Sequence, residues 1–474
     1  MELKSLPVKI RNGVTIQVPN SPNVLTSYVL LEQEAWFEDE VEFVRRYLQP
    51  GECAADIGAN FGVYTTAMAE RVGTQGTIFA FEPASETCTY LRATIALRQA
   101  DTVHVVQAAL SDHSGTAELV LGSFPELNAL ATAGNATSAS ESVRLLTLDE
   151  YLADWPEKKL GLIKLDAEGH EPQVVAGARQ VIQRDDPLVM FEIKRQGTFD
   201  LTMLDELRPF GLRGYRLLPG LNVLVPFEPG DPLDGFQLNL FAVSARRAQE
   251  LEQRGILVHE PTREPSPLSA ARPANEDIIG DWHTQPADGH PYAAALAHYA
   301  HSCVASSPAS QVAHLVKAAQ LASEACRDNF TVARVLTFAR LAGILGLRNQ
   351  AEEAMARVAG ELMNQELPAI REPFLRPDRA LVPWSSAAHD RRRLFNSALE
   401  AFERARHFST FYHGASSLPL LDHLCRQPDC SPEMQRRRQL VRMRTGVQWA
   451  PEPHPLLARD TADNLNAWFW NTVR

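Results

Sequence analysis

Several features that would narrow the class of this 474-residue chain are absent from its sequence. No run of about 18 apolar residues occurs, and no basic segment followed by an apolar core opens the chain, so we expect neither a transmembrane segment nor a signal peptide. Six cysteines are scattered over the whole length, and their spacing matches neither a disulfide framework nor a zinc site. These absences favour a protein of the reducing cytoplasm.

Positive charge is scarce in the first part of the chain. The whole sequence has 46 Lys and Arg against 58 Asp and Glu, a net charge of −12. Residues 281–474 hold 22 basic and 19 acidic residues, so the preceding part carries 24 − 39 = −15. A strongly acidic surface repels phosphate groups, and we therefore expect no nucleic-acid partner.

A glycine turn follows the first buried strand that the sequence predicts. It reads Asp56-Ile57-Gly58-Ala59-Asn60-Phe61-Gly62 and leads into a helix that Gly73 ends. Glycine has no Cβ and asparagine tolerates left-handed dihedrals, so this backbone can approach a ligand closely. The dinucleotide fingerprint Gly-x-Gly-x-x-Gly would require two further glycines, where Asn60 and Val63 stand. The turn therefore favours a nucleotide-like ligand other than NAD.

Acidic residues end the first two predicted strands. Asp56 ends the first, and Glu82 ends the second, 82 − 58 = 24 residues after Gly58. Two such carboxylates suit S-adenosylmethionine, because one could bind its amino-acid group and the other its ribose hydroxyls. The third strand ends where adenine would lie in such a fold. The predicted cofactor-binding residues are Asp56, Gly58, Asn60, Gly62, Glu82, Ala109 and Asp112.

A second polar cluster follows a later strand. Residues 160–165 run into Asp166-Ala167-Glu168-Gly169-His170-Glu171, at the edge where open α/β sheets bind ligands. Asp166 and His170 are candidates for a general base, although His170 suits a helix-capping role equally well. Glu168 and Glu192 are second choices, and Glu192 interrupts an apolar strand. Asp166 and Glu192 would suit a divalent metal, but without a third ligand we do not expect one.

Together these motifs resemble the FkbM family of S-adenosylmethionine-dependent O-methyltransferases, over about residues 10–245. The motifs that carry the resemblance are Asp56–Gly62, Phe81-Glu82-Pro83, Ala109-Leu110-Ser111-Asp112, Thr147-Leu148-Asp149 and Ile163–Glu171. The resemblance implies an α/β class I methyltransferase fold, which is a Rossmann-like, seven-stranded and mostly parallel sheet with an antiparallel last hairpin. It also implies a hydroxyl acceptor on a sugar, a glycan or a polyketide-derived metabolite.

The composition changes after residue 250, which predicts three parts. We expect a methyltransferase domain over 1–250, a proline-rich linker over 251–279 and an all-α domain over 280–474. Residues 341–362 predict a tetratricopeptide-like helical hairpin, which would suit a protein partner. We interpret the arginines at 391–393, 436–438, 442 and 444 as solvated helix faces, although an anionic glycan, a nucleotide-sugar phosphate or a membrane surface would also suit them. We interpret residues 128–142 as a loop that covers the active site.

The sequence thus predicts a cytoplasmic S-adenosylmethionine-dependent O-methyltransferase that acts on a hydroxyl, most simply of a sugar or glycan. Two alternatives stay open at this point. One is an NAD-dependent oxidoreductase or epimerase. The other is an interaction protein that binds the cofactor without turnover.

Overall fold

A computed structural model describes residues 5–98, 101–122, 125, 128–130, 139–195, 197–268, 276–279, 290–364, 366, 370–377, 388–447 and 454–472. Residues 131–138 of the predicted active-site loop lie outside these ranges. So do residues 269–275 of the predicted linker and the start of the predicted helical domain, residues 280–289.

The first part of the chain alternates strands and helices. In chain order these are β1 (Ser5–Lys9), β2 (Thr15–Pro19), α1 (Leu25–Gln33), α2 (Glu40–Tyr47), β3 (Cys53–Ile57), α3 (Val63–Val72), β4 (Thr77–Phe81), α4 (Ser85–Ala96), β5 (Val103–Val106), β6 (Ala109–Leu110), β7 (Gly115–Val120), β8 (Ala129–Leu130), β9 (Ser140–Leu146), α5 (Leu148–Ala153), β10 (Leu160–Leu165), α6 (Glu171–Ala176), α7 (Arg179–Asp185), β11 (Leu188–Glu192), β12 (Lys194–Arg195), β13 (Thr198–Phe199), α8 (Thr202–Leu207), β14 (Leu212–Leu218), β15 (Val223–Pro226), β16 (Asn239–Ser244) and α9 (Ala245–Gln253).

The second part is mostly helical. It contains β17 (Ile278–Ile279), α10 (Pro291–Cys303), α11 (Pro308–Asp328), α12 (Val332–Ile344), α13 (Arg348–Met363), β18 (Phe374–Leu375), α14 (Ala388–Arg406), α15 (Leu418–Cys425), α16 (Pro432–Thr445) and α17 (Ala467–Thr472). The predicted hairpin is present as α12 and α13, with Gly346 between them at a φ of 76°. β17 and β18 pair antiparallel, so this part is not purely helical. The domain boundaries at 250 and 280 stay a prediction.

A mostly parallel sheet forms the centre of the first part, as predicted. Its strand order is β15-β14-β16-β11-β10-β3-β4-β5. The strands from β11 through β10, β3 and β4 to β5 are parallel, and the pairings of β11 with β16, β16 with β14 and β14 with β15 are antiparallel. Every residue of β3, β4 and β10 is buried because helices cover both faces.

The described sheet has eight strands rather than the predicted seven. We expected residues 215–225 to form one strand, but they divide into β14 and β15, which pair as a hairpin. The turn between them contains Pro219 and Asn222, and Asn222 has a φ of 55°. Proline has no N–H to donate to a neighbouring strand, so this stretch cannot continue as one ladder.

The helical part packs directly onto the first part. One hydrophobic core contains Val8, Tyr28 and Phe43 together with Leu440 and Trp470. The arginines of α16 also lie at this junction rather than on a solvated face, because Arg436 and Arg437 are almost fully buried. Our prediction for these two arginines was therefore wrong, since acidic side chains of α1 and α16 neutralise them inside the protein. None of the helices in the described residues is long and apolar enough to cross a membrane.

Candidate active site

The glycine turn links β3 to α3 through three left-handed residues. Gly58, Asn60 and Gly62 have φ values of 77°, 49° and 92°. A Cβ on Gly58 would lie 1.8 Å from the carbonyl oxygen of Asp166, so only glycine lets the ends of β3 and β10 come together here. A Cβ on Gly62 would lie 2.7 Å from the side chain of Leu91. Gly62 therefore serves helix packing, and it does not line either cavity described below.

Glu82 holds the glycine turn from the end of β4. Its two carboxylate oxygens accept hydrogen bonds from the backbone N–H groups of Asn60 and Ala84, each at 2.9 Å. Burial raises the pKa of Glu82 to about 7, although these two bonds oppose the shift. The carboxylate lines a small cavity beside the turn. This is where a carboxylate for ribose hydroxyls was expected.

The small cavity brings together several of the predicted residues. Its lining includes Gly58, Asn60, Glu82, Ala109, Asp166, Glu168 and His170. Asp112 is not part of this lining, and its carboxylate instead accepts hydrogen bonds from Ser111 and His113. The expected contact between Asp112 and the cofactor is therefore not supported, because the chain turns away from the cavity after Leu110.

Asp56 and Lys164 form a buried pair behind the glycine turn. Asp56 is fully buried and lines neither cavity, so the structure offers no direct contact between this carboxylate and a ligand. It accepts a hydrogen bond from Thr65 at 2.5 Å, and its other oxygen lies 3.6 Å from Lys164 Nζ. Lys164 also donates to the Gly58 carbonyl and to Asp166, both at 3.0 Å. Asp56 thus helps to hold Lys164 in place, and Lys164 orients the glycine turn through its bond to the Gly58 carbonyl.

Lys164 was missed by the sequence reasoning, although it is the one charged residue in the apolar strand β10. Burial by itself would lower its pKa, but Asp166 and Asp56 raise that pKa above its usual value. The lysine therefore stays charged, and it supplies a fixed positive charge among the carboxylates.

A larger cavity of about 1250 Å³ adjoins the small one. The two share Gly58, Asn60, Asp166, Glu168 and Leu130, so they meet at the ends of β3 and β10. A volume of this size exceeds the range of about 300–1000 Å³ typical of small-molecule sites. The larger cavity therefore has room for a second reactant beside a cofactor.

The predicted catalytic residues are distributed over the two cavities. Asp166 and Glu168 line both, Glu192 lines only the larger one, and His170 lines only the small one. His170 Nε2 lies 2.8 Å from the hydroxyl of Ser111, and burial lowers the pKa of the imidazole. His170 thus lines the small cavity and not the larger one that would hold an acceptor, which argues against His170 as the general base.

Three carboxylates cluster where the cavities meet. Asp166, Glu168 and Glu192 each offer an oxygen, and these atoms lie within 4.8 Å of one another. Burial and the neighbouring charges raise the pKa of Glu192 to about 9. The set includes the third ligand that we missed when considering a metal, and three carboxylates suit Mg²⁺. Lys164 already provides a positive charge to Asp166, however, and the absence of a metal stays our prediction.

Glu38 is a further carboxylate of the larger cavity, and sequence reasoning missed it. It accepts hydrogen bonds from Trp36 Nε1 at 2.8 Å, Tyr64 at 2.7 Å and Asn239 at 3.0 Å. Burial raises its pKa in spite of these bonds. In the sequence Glu38 precedes the acidic start of α2, where such a charge resembles ordinary first-turn helix chemistry.

The helical part also contributes residues to the wall of the larger cavity. The lining residues from this part are Asn349, Arg406, His407, Phe408, Phe411, Tyr412, His413 and Arg444. They lie more than 150 residues from the carboxylates in sequence, and of this set the sequence analysis singled out only Arg444, as one of several arginines. The cavity is therefore built jointly by the methyltransferase-like sheet and the helical region.

Comparison with known proteins agrees with the geometry. Residues 56–217 match the family model described as the methyltransferase FkbM domain. The chain is 29% identical over 201 residues to the 31-O-demethyl-FK506 methyltransferase FkbM of Streptomyces tacrolimicus, covering 36% of this chain and 74% of that protein. Methyltransferase 1 of Beauveria bassiana is 28% identical over 170 residues, covering 29% and 67%.

A solved structure, the methyltransferase FkbM from Methylobacillus flagellatus, aligns at 16% identity with a TM-score of 0.29. The alignment covers 41% of this chain and 44% of that one. The family match begins at the carboxylate that ends β3 and includes the glycine turn, Glu82 and the Asp166–Glu171 cluster. Residues 56–217 of this chain are thus similar to the FkbM methyltransferase domain, and the chain joins this FkbM-like part to a mostly helical C-terminal region.

Proposed function

We propose that this protein transfers a methyl group from S-adenosylmethionine to a hydroxyl of a sugar or glycan. The observation that carries the proposal is the meeting of the two cavities at Gly58, Asn60, Asp166 and Glu168. The small cavity of about 70 Å³ would take one end of the cofactor, and the larger cavity has room for the rest of it and for an acceptor, so the two reactants would meet there. Cytoplasmic location remains part of this proposal, in keeping with the free state of the six cysteines.

The residues of the small cavity fit the cofactor. Glu82 would bind the ribose hydroxyls, Ala109 and Leu110 would contact the adenine, and the Gly58 turn would allow the amino-acid part to approach the backbone. S-adenosylmethionine supplies an electrophilic methyl group bound to a positively charged sulfur. A cluster of carboxylates beside Gly58 is suited to that charge.

The acceptor hydroxyl must lose a proton as the new bond forms, and a carboxylate within hydrogen-bond reach can take it. Asp166 lines both cavities, and it is therefore our candidate for the general base. Lys164 fixes its orientation through the bond at 3.0 Å. Glu192 and Glu38 would orient the acceptor from the larger cavity. Holding the reactants in line supplies much of the acceleration in such reactions, up to about 7–11 kcal/mol.

Calorimetric titration with S-adenosylmethionine and S-adenosylhomocysteine tests the proposal, with NAD as the comparison ligand. We expect both sulfur compounds to bind and NAD not to bind. Glu82→Gln should weaken binding about ten-fold or more, because it removes a charged acceptor of hydrogen bonds. Glu86→Gln is the matched control, since Glu86 is exposed on α4. Binding of NAD alone would favour the oxidoreductase, and binding without turnover of any hydroxyl acceptor would favour the interaction protein.

A further inference from the structure

One loop of the helical region forms much of the wall that faces the carboxylates. This 407–413 loop follows α14 and contributes Phe408, Phe411, Tyr412 and His413 to the larger cavity. It is held by α1 of the first part: Glu32 accepts hydrogen bonds from the N–H and the hydroxyl of Thr410, and Gln33 donates to the Phe408 carbonyl at 2.6 Å. The loop is therefore a fixed part of the cavity wall.

Two cations lie on the rings of this loop. Lys194 Nζ is 5.8 Å from the centre of the Phe408 ring, and the guanidinium of Arg444 is 3.6 Å from the centre of the Phe411 ring. Each donates a hydrogen bond to a backbone carbonyl, Lys194 to Gly235 and Arg444 to Phe411. Within the described ranges neither cation forms an ion pair with a carboxylate, whereas Arg406 beside them pairs with Glu403 at 3.3 Å.

The lining of the larger cavity therefore carries charges of both signs. Carboxylates from the sheet line one side, and Lys194 and Arg444 bring positive charge to the lining. Charged groups that lack a protein counter-ion at a cavity wall are suited to an anionic ligand, because a guanidinium or ammonium donates strong hydrogen bonds to phosphate and carboxylate oxygens.

Aromatic rings make up the other feature of this wall. The cavity is lined by Trp36, Phe37, Phe236, Phe408, Phe411 and Tyr412. Several of them pack together, with Phe408 centred 5.1 Å from both Phe37 and Phe236. Flat apolar faces bind the C–H face of a sugar ring, while polar groups around them select its substituents.

We infer that the methyl acceptor is an anionic saccharide, a sugar ring that carries a phosphate or a carboxylate. Arg444 and Lys194 bind the charged group, and the rings of the 407–413 loop contact the sugar. This inference rests on the proposed methyl transfer to a sugar hydroxyl and gives the helical region its role. The region completes the acceptor site, so the methyltransferase sheet provides the reaction and the helices select the acceptor.

The test compares three sugars that differ mainly in charge. Glucose, glucuronate and glucose 1-phosphate are each titrated into the full-length protein, with and without saturating S-adenosylhomocysteine. We expect at least one charged sugar to bind about ten-fold or more tightly than glucose, with an affinity that falls as salt is added. The affinities of glucuronate and glucose 1-phosphate are then compared, which shows whether the site prefers a carboxylate or a phosphate.

Amino-acid replacements test which residues bind the charged group of the sugar. Arg444→Gln and Lys194→Gln should each weaken the preferred charged sugar about ten-fold and leave glucose and S-adenosylhomocysteine unchanged. Arg393→Gln is the matched control, because Arg393 is exposed on α14 and lines neither cavity. Arg444→Lys keeps the charge but not the planar group stacked on Phe411, and it should retain more of the affinity than Arg444→Gln. Thermal melting of each variant confirms that it is folded.

Equal or absent binding of all three sugars would overturn the inference, and so would a charge preference that survives both Gln variants. Absence of S-adenosylhomocysteine binding would instead refute the proposed function. The sugar titrations without cofactor still decide the inference in that case, so the two failures are distinguishable.

Discussion

At Glu192, burial and the neighbouring negative charges both disfavour the ionised carboxylate. It ends β11 beside Asp166 and Glu168, and Glu38 adds a further negative charge. Burial, followed by these carboxylates, raises its pKa from 4.5 to about 9. The folded protein therefore binds a proton here that the unfolded chain releases above about pH 4.5.

The replacement Glu192→Gln should therefore stabilise the protein in a pH-dependent way. In the wild type, the raised pKa contributes stability that is fully present below about pH 4.5 and is lost as pH rises towards 9. Glutamine resembles the protonated carboxyl and does not ionise. We expect similar stabilities at pH 5 and a gain on the order of 1–3 kcal/mol at pH 8. Urea unfolding of the metal-free and cofactor-free protein at both pH values measures this.

Glu206→Gln serves as the control for that experiment, because Glu206 is exposed on α8 and undergoes the same chemical change. Its stability difference from wild type should be small and independent of pH. Parallel pH profiles for Glu192→Gln and the wild type would contradict the expected proton uptake at Glu192.

At the scale of elements, the structure depends on how α1 anchors the 407–413 loop. Thr410 is fully buried, and its hydroxyl binds Glu32 and lies 2.9 Å from the hydroxyl of Tyr28. The Glu32 carboxylate is itself fully buried. A buried carboxylate needs such partners, since an unsatisfied charged group costs more than a neutral one.

We expect Thr410→Val to destabilise the protein by about 1–3 kcal/mol, because the valine keeps the shape but leaves Glu32 and Tyr28 with one partner fewer. Thr410→Ser retains the hydroxyl and should lose less. Chemical denaturation of both variants gives the difference. Thr445→Val is the control, because Thr445 is exposed and the hydrogen bonds of its hydroxyl are to backbone groups at the end of α16. Equal losses for Thr410→Val and Thr410→Ser would show that the hydroxyl is unimportant.

For the whole molecule, a buried ion pair joins the helical region to the first part. Arg436 of α16 donates to the Glu32 carbonyl at 2.9 Å and lies 3.4 Å from the carboxylate of Glu34. Glu34 also accepts from the N–H of Leu465 at 2.7 Å and from Asn466 at 3.0 Å. Three distant segments of the chain thus meet at two fully buried charges.

Arg436→Met should destabilise the protein strongly, by about 3–5 kcal/mol, since it leaves the buried Glu34 carboxylate without its counter-charge. Adding Glu34→Gln should recover part of that loss, because the double variant has no unpaired buried charge. Arg393→Met, at an exposed site, is the control and should change stability by about 0.5 kcal/mol or less. Equilibrium unfolding of the four proteins provides the comparison. If the double variant is no more stable than Arg436→Met, the ion pair is not the cause.

The parts of the site that are local in the chain can be predicted from the amino-acid order. A strand, a glycine turn and a helix follow one another within about twenty residues, and Glu82 follows the next strand. The order of these elements therefore predicts that Gly58, Asn60 and Glu82 lie close together, and the structure has them lining one cavity. The ends of parallel strands meet at one edge of a sheet. That rule also placed Asp166, Glu168 and Glu192 near the turn, and the structure brings them there.

Which polar residues face a cavity, and which residues complete its wall, depends on how distant segments of the chain pack together. Asp56 and Asp112 carry the right chemistry at strand ends, yet Asp56 points into the protein towards Lys164 and Asp112 turns outwards. Spacing along a strand does not fix these orientations, because they depend on packing between strands. The wall with Phe408, Phe411 and Arg444 depends on contacts between segments nearly 400 residues apart, such as Glu32 with Thr410. Each of these segments is buried and neutralised by a distant partner. Such contacts leave no periodic signal in the sequence, because they do not depend on spacing along the chain.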